Sequence, residues 1–338
     1  MKGIRSLHRI FDYVARLSED GQFFRFQNDV AQVAYDTLGQ SYKTGDNEVA
    51  IVTKLVAALN GKSYDHIRVA ANKIHGTRSF VEFNYRDKPT TKELGDMAVI
   101  SIVTAGKNRL LQRVCIIQNK KAKDHAWGVD AEQLFLLKNF PPFSGNRGLF
   151  RGLSDVGFRN RSGCLGAYGL FDEPGEMMFV AAPLFSEVLR DRSSVSLDEI
   201  GLPSSISQSG VQSAFSSAPF GQFFDPEEWH MIMREVFHRF GPLPWRGFGL
   251  GLPFFGNVHY GRDIYDFVRA WTQVNLGEYT CLAGATINPE VDGFANRLIR
   301  SAGLGRGIDL PTGNEDTDRK PEGDMAVFVL RMDVEHKG

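Results

Sequence analysis

Gln118 and Lys120 stand two residues apart at the polar end of an apolar run, Val114-Cys115-Ile116-Ile117, and Asp96 stands just before another such run, Met97 to Val103. Side chains on a strand alternate faces, so Gln118 and Lys120 project together with Val114 and Ile116. A short connection containing Gly106 and Asn108 joins the two runs, as in an antiparallel hairpin. With the turn centred near Lys107, Asp96 lies eleven residues before it and Gln118 eleven after, so the two should meet at the open end of the hairpin. Metal-assisted hydrolysis of a phosphodiester needs such a set. It uses hard oxygen ligands for Mg2+, with Mn2+ as a substitute, and a cation beside the attacking water or the developing charge on phosphorus. Asp96 and Gln118 would hold the metal, and Lys120 would supply the positive charge.

The elements around these residues must position them. Val52, Leu55, Val56 and Leu59 recur at helical spacing, Asp46 or Asn47 can cap the start, and Asn60-Gly61 supplies a stop. Glu48 falls on the inward stripe of this helix, which makes it a further catalytic and metal-ligand candidate, direct or through water. The helix dipole would also stabilise a first-turn carboxylate with no metal present. Glu93 is a competing ligand, or an exposed charge before a strand. Lys121 and Lys123 are candidates for neutralising phosphates of a nucleic acid, although such lysines also simply solubilise loops. Strands are expected over 78–85, 97–103 and 111–118, and then a helix over 130–139 with Asp130 as cap, Gln133 three residues on and Pro141-Pro142 as stop. Outside this stretch the pattern predicts a short amphipathic helix over 6–17, a strand over 177–182, a Ser/Gly-rich loop over 204–222, helices over 226–240 and 264–273, and a strand over 325–330.

In this arrangement the chain resembles the restriction-endonuclease-like, or PD-(D/E)xK, nuclease superfamily. The resemblance covers about residues 46 to 140: the helix with Glu48, "ELGDMAVISIV" with Asp96 as the motif aspartate, and "CIIQNKKAK", in which Gln118-Asn119-Lys120 is the QxK variant of the usual acidic-x-Lys triplet. It implies an α+β (α/β) fold, a mixed sheet flanked by helices, whose core is a helix, a three-stranded meander and a second helix. It further implies a Mg2+-dependent endonuclease acting on nucleic acid, with DNA the expected substrate, in restriction or antiviral defence. A homo-oligomer and an ATPase or helicase partner are in keeping with that family. Gly95 stands where the family usually has proline, and glutamine replaces the commoner carboxylate, lowering the ligand charge. The latter departure motivates the alternative, a catalytically inactive nuclease-like subunit that binds nucleic acid or a protein partner.

Composition is compatible with both. The 338 residues are 42% hydrophobic and 23% charged, as in a globular protein with a sizeable core. Net charge is −1, but residues 1 to 125 hold 20 Lys and Arg against 13 Asp and Glu, a balance of +7, which leaves −8 for 126 to 338. The basic third suits a polyanion; the acidic remainder motivates a third reading, an interaction protein with no nucleic-acid role. A soft boundary near 145 would separate a nuclease-like core with its N-terminal helices (1–145) from a C-terminal α/β region (146–338), unless the latter completes the same domain. There is no leader-like or membrane-spanning apolar run, so a cytoplasmic location is expected. Cys115, Cys164 and Cys281 have no ligand or disulfide spacing and are expected to be buried free thiols. "GDMAV" occurs at 95–99 and again at 323–327, so Asp324 is a second acidic candidate, but no QxK strand follows it. The glycines of 246–256 lack a GK[ST] lysine, and His230 and His238 are badly spaced for one metal.

Overall fold

The computed structural model describes residues 20–74, 80–146, 150–160, 162–190, 192–196, 258–305 and 325–335, together with Ile10, Tyr13, Arg16, Leu17, Glu19 and Glu199. Asp324, His230, His238, the loop over 204–222, the helix over 226–240 and the glycines of 246–256 lie outside the described residues. So do Leu7, Phe11 and Val14 of the first expected helix, although Ile10, Tyr13 and Leu17 are buried.

Described in chain order, the elements are α1 (Gly21–Lys43), α2 (Glu48–Leu59), β1 (Ser63–Tyr64), β2 (Ile67–Lys73), β3 (Phe80–Tyr85), β4 (Lys88–Glu93), β5 (Met97–Ala105), β6 (Asn108–Lys121), β7 (Ala126–Gly128), α3 (Ala131–Asn139), β8 (Phe143–Gly145), β9 (Gly166–Asp172), β10 (Glu176–Ala181), α4 (Ala182–Leu189), β11 (Ser194–Ser196), β12 (Tyr260–Gly261), α5 (Ile264–Thr272), β13 (Glu278–Leu282), β14 (Ala285–Thr286), α6 (Pro289–Ser301) and β15 (Ala326–Asp333). The fold is α+β: a ten-stranded mixed sheet with helices on both faces. Its strand order is β1-β2-β15-β5-β6-β9-β10-β12, and β13 lies beside the first half of β6 with β14 beyond it. Strands from both sides of residue 145 enter this one sheet.

β5 is buried along its whole length and apolar except for Ser101 and Thr104, as suits a strand covered on both faces. Its odd-numbered side chains, with Cys115 and Ile117 of β6, pack under α1, α2 and α5. Its even-numbered ones, with Val114 and Ile116, pack under α3, α4 and α6. The three cysteines are buried free thiols, as expected.

One expected arrangement is not observed. β3 does not lie beside β5; it turns back through Arg86-Asp87, pairs with β4, and forms a separate sheet in the order β4-β3-β8. The polar run of β4, "KPTTKE", cannot be buried on two faces, whereas β15 is apolar on both and takes the place along β5, running parallel to it. Met97 pairs with Ala326, so the two "GDMAV" copies are neighbours offset by one residue. Met97 accordingly packs on one face of the sheet and Met325 on the other.

The β5–β6 hairpin turns through Gly106-Lys107, with Ala105 opposite Asn108. A register shift between Val103 and Thr104 then admits one extra residue on β6, so that Val103 faces Leu111 and Met97 faces Ile117. Without this bulge Asp96 would fall opposite Ile117, and Gln118 would point to the other face.

Candidate active site

β6 is longer than the apolar run alone suggests, continuing through Gln118-Asn119-Lys120-Lys121. Beyond Ile117 it has β9 on one side, with Gln118 opposite Tyr168 and Lys120 opposite Leu170. On its other side β5 has already ended. The Asn119 and Lys121 N–H groups on that side therefore need acceptors from elsewhere. Asp96 Oδ2 accepts from Asn119 N–H at 2.6 Å, and Glu48 Oε1 accepts from Lys121 N–H at 3.1 Å. The two carboxylates follow one another along the free edge of β6.

Gly95 lets the chain approach that edge. A Cβ there would come within 2.8 Å of Ile116 Cγ2, while the Asp96 N–H donates to Ile117 O at 3.0 Å. Gln118 Nε2 donates to Asp96 Oδ2 at 2.6 Å. An ionised carboxylate can only accept, so the amide nitrogen must face it and the amide oxygen points away. That oxygen, Gln118 Oε1, is buried and has no hydrogen-bond partner among the described residues. The hydroxyl of Tyr168, beside Gln118 in the sheet, is also buried without a partner.

Burial pushes the Asp96 carboxyl up to about 6, and the nearby charge of Glu48 adds to the rise. The Asn119 N–H, the Lys120 ammonium and the Gln118 amide oppose it. No cation lies within 4 Å of Asp96 among the described residues. Lys120, half-buried on the face shared with Gln118, makes no hydrogen bond or ion pair with the described residues.

Asp96, Gln118 and Lys120 thus come together on one face at one end of the hairpin. Glu48 joins them from the other face: α2 packs on the Cys115 and Ile117 side, and its first residue reaches the edge of β6 from there. Asn47, one of the two expected caps, closes the start of α2 by accepting from Ala50 N–H at 2.9 Å. Lys121 has its ammonium on Asp46 O at 2.8 Å and over the Tyr42 ring at 4.7 Å, whereas Lys123 is exposed. Glu93 ends β4 in the other sheet, where its carbonyl accepts from Gln133 Nε2 at 2.7 Å. Gln133 is therefore used to hold β4 against α3. Asp130 alone caps that helix, accepting from Glu132 and Gln133 N–H at 2.9 Å each.

No cluster of three His, Cys, Asp or Glu side chains suited to a metal occurs among the described residues. With the amide nitrogen on Asp96, a cation shared by Asp96 and the Gln118 oxygen would require the amide to turn over; hard oxygen donors of this kind suit Mg2+. The unpartnered Gln118 Oε1 fits such a role. The chain matches no protein-family model, no curated protein and no solved structure.

Proposed function

We propose that the protein is a Mg2+-dependent endonuclease of restriction-endonuclease-like type, cleaving phosphodiester bonds in nucleic acid, with DNA as the expected substrate and restriction or defence against foreign DNA as its role. The observation that carries this reading is Gln118 Oε1, a buried acceptor on the amide that donates to Asp96, with no partner of its own among the described residues. Asp96 and Gln118 offer the metal oxygen atoms, and Glu48 lies close enough for its charge to act on Asp96. Mg2+, when bound, would polarise the phosphate and make a water more acidic. Lys120, on the same face, brings an ammonium whose field reaches Asp96, suited to the negative charge that builds up as phosphorus is attacked. The basic first 125 residues supply the general attraction for a polyanion.

Plasmid cleavage in Mg2+ by the wild type, Asp96→Ala and Lys120→Ala tests the assignment. The wild type is expected to nick or linearise the plasmid and the two variants to leave it intact; equal activity in all three overturns the reading. One observation favours a second reading, a nuclease-like module that binds without cutting: both carboxylates already serve as acceptors for the free edge of β6. Salt-sensitive DNA binding by the wild type with no metal-dependent cleavage would select it.

A further inference from the structure

The same end of the sheet holds a second pair of ionisable side chains, His125 and Asp172. After Lys121 the chain reverses through Asp124 and His125, whose φ values are 54° and 57°, the two left-handed residues that a type I′ turn requires. Asp and His are among the non-glycine residues that accept this conformation. Lys123 and Ala126 bridge the turn, and the Trp127 indole that follows donates to Phe171 O at 2.8 Å, folding the segment onto β9. His125 Nδ1 then lies 3.2 and 3.3 Å from the two carboxylate oxygens of Asp172. Asp172 is buried, yet the His125 side chain is 68% exposed. With Nδ1–H donating to the carboxylate, Nε2 is the atom presented to solvent.

The strand register ties this pair to the candidate site. Lys120 is opposite Leu170 and Gln118 opposite Tyr168, so Asp172, on the same face of β9, lies about 7 Å along the strand beyond the partner of Lys120 and about 13 Å beyond that of Gln118. We propose that His125, oriented by Asp172, is the general acid that protonates the leaving sugar oxygen when a phosphodiester is hydrolysed at Asp96, Gln118 and Lys120. The inference rests on the hydrolytic reading above. In the step, a water oxygen bonds to phosphorus as the phosphorus–oxygen bond to the leaving sugar breaks. The electron pair stays on the sugar oxygen, which takes the Nε2 proton. The attacking water releases its proton to solvent, and solvent reprotonates the imidazole. Asp172, by hydrogen bond and by charge, then Glu173 and Asp124 raise the His125 imidazolium above its ordinary range, against the desolvation that lowers it. The other ionisable groups acting near Asp172 are Tyr42 of α1 and Glu176 of β10.

A leaving group that needs no proton separates this role from others. Mg2+-dependent cleavage of plasmid DNA and of thymidine 5′-(p-nitrophenyl phosphate) is compared for the wild type, His125→Ala and His125→Gln. Plasmid cleavage by both variants is expected to fall roughly 10²-fold or more, while release of nitrophenolate changes less than about threefold. Asp172→Asn, at a positioning residue, is expected to lower plasmid cleavage less and to bring the NMR titration of His125 down towards the ordinary histidine value. Equal losses on both substrates would make His125 a binding group and overturn the inference. Undiminished plasmid cleavage by the His125 variants would also overturn it, with the nuclease reading intact. A wild type that cleaves neither substrate removes the nuclease reading itself, and this inference with it.

Discussion

Gln112 and Gln118 stand six residues apart on the same face of β6, and each gives its amide nitrogen to an aspartate. Gln112 Nε2 donates to Asp292 Oδ1 and to Thr280 Oγ1, both at 3.1 Å, and its oxygen accepts from Arg109 Nη1 at 2.8 Å. Asp292 is paired with Arg109 Nη2 at 2.9 Å and also accepts from Thr280 and Asn296. Every partner in that network is supplied by the protein. At the other end of the strand, among the described residues, the Gln118 oxygen has no partner and Asp96 has no cation within 4 Å. A buried acceptor left open costs about 1–3 kcal/mol, so a closed network serves the fold and an open one calls for a separate explanation. The difference lies in the neighbours, not in the Gln–Asp pair: Arg109 sits beside one aspartate within hydrogen-bond reach, whereas Lys120 acts on the other only through its field.

Removing an aspartate from each network should break the symmetry between them. Asp292→Ala strands a buried guanidinium and is expected to lower the urea unfolding free energy by about 3–5 kcal/mol. A loss below about 1 kcal/mol would mean that Arg109 finds water, and that the network is not closed. At Asp96 the sign is opposite. Its folded-state value is raised from 3.8 to about 6, so its contribution to stability is present in full below about pH 4 and is lost as pH rises through about 6. The loss amounts to about 1–3 kcal/mol, and Asp96→Asn should flatten that part of the pH–stability curve. Mg2+ should stabilise the wild type more at pH 7 than at pH 5, because the ligand must be ionised. A pH profile identical in wild type and Asp96→Asn would refute this account of the carboxyl.

Smaller effects sharpen the contrast. Gln118→Glu converts the open amide into a second carboxylate, and calorimetry is expected to show Mg2+ binding roughly tenfold tighter, about 1.4 kcal/mol. Unchanged affinity would remove Gln118 from the ligand set. Glu48→Gln keeps an oxygen for the Lys121 N–H and loses only the charge. Stability should therefore stay within about 0.5 kcal/mol, with Mg2+ affinity falling about two- to threefold. A large loss of stability instead would assign Glu48 to the fold alone.

Much of this was legible in the chain. The spacing of Asp96 and Gln118 about Lys107 brings them together, α2 starts beside Asn47, one of its two expected caps, α3 starts beside Asp130, and the apolar runs of β5 and β6 read as a buried hairpin. Other signals lie in the chain outside these elements. α1 shows Phe23, Phe26, Val30, Ala34 and Leu38 at helical spacing behind Asp20, and β2 alternates Ile67, Val69 and Ala71 inward. Tyr168 was not legible, because nothing in "GAYGLFD" says which strand will lie beside Gln118. His125 and Asp172 are 47 residues apart and meet only because β6 and β9 are parallel neighbours.

Caps, stops and apolar period depend on residues within a few positions of one another, so the elements nearest the site are legible in the chain. By itself the sequence determined too that an acid, an amide and a lysine would meet at one end of a hairpin. Packing across the sheet settled that β15 rather than β3 lies along β5, that a two-residue turn with a bulge, not a turn centred on Lys107, brings Gln118 opposite Asp96, and that Glu48 arrives from the opposite side. Strand neighbours are chosen by burial on both faces, and a one-residue bulge near Leu110 reverses which side chains share a face. Both are settled by packing across the whole sheet, beyond the reach of any local pattern.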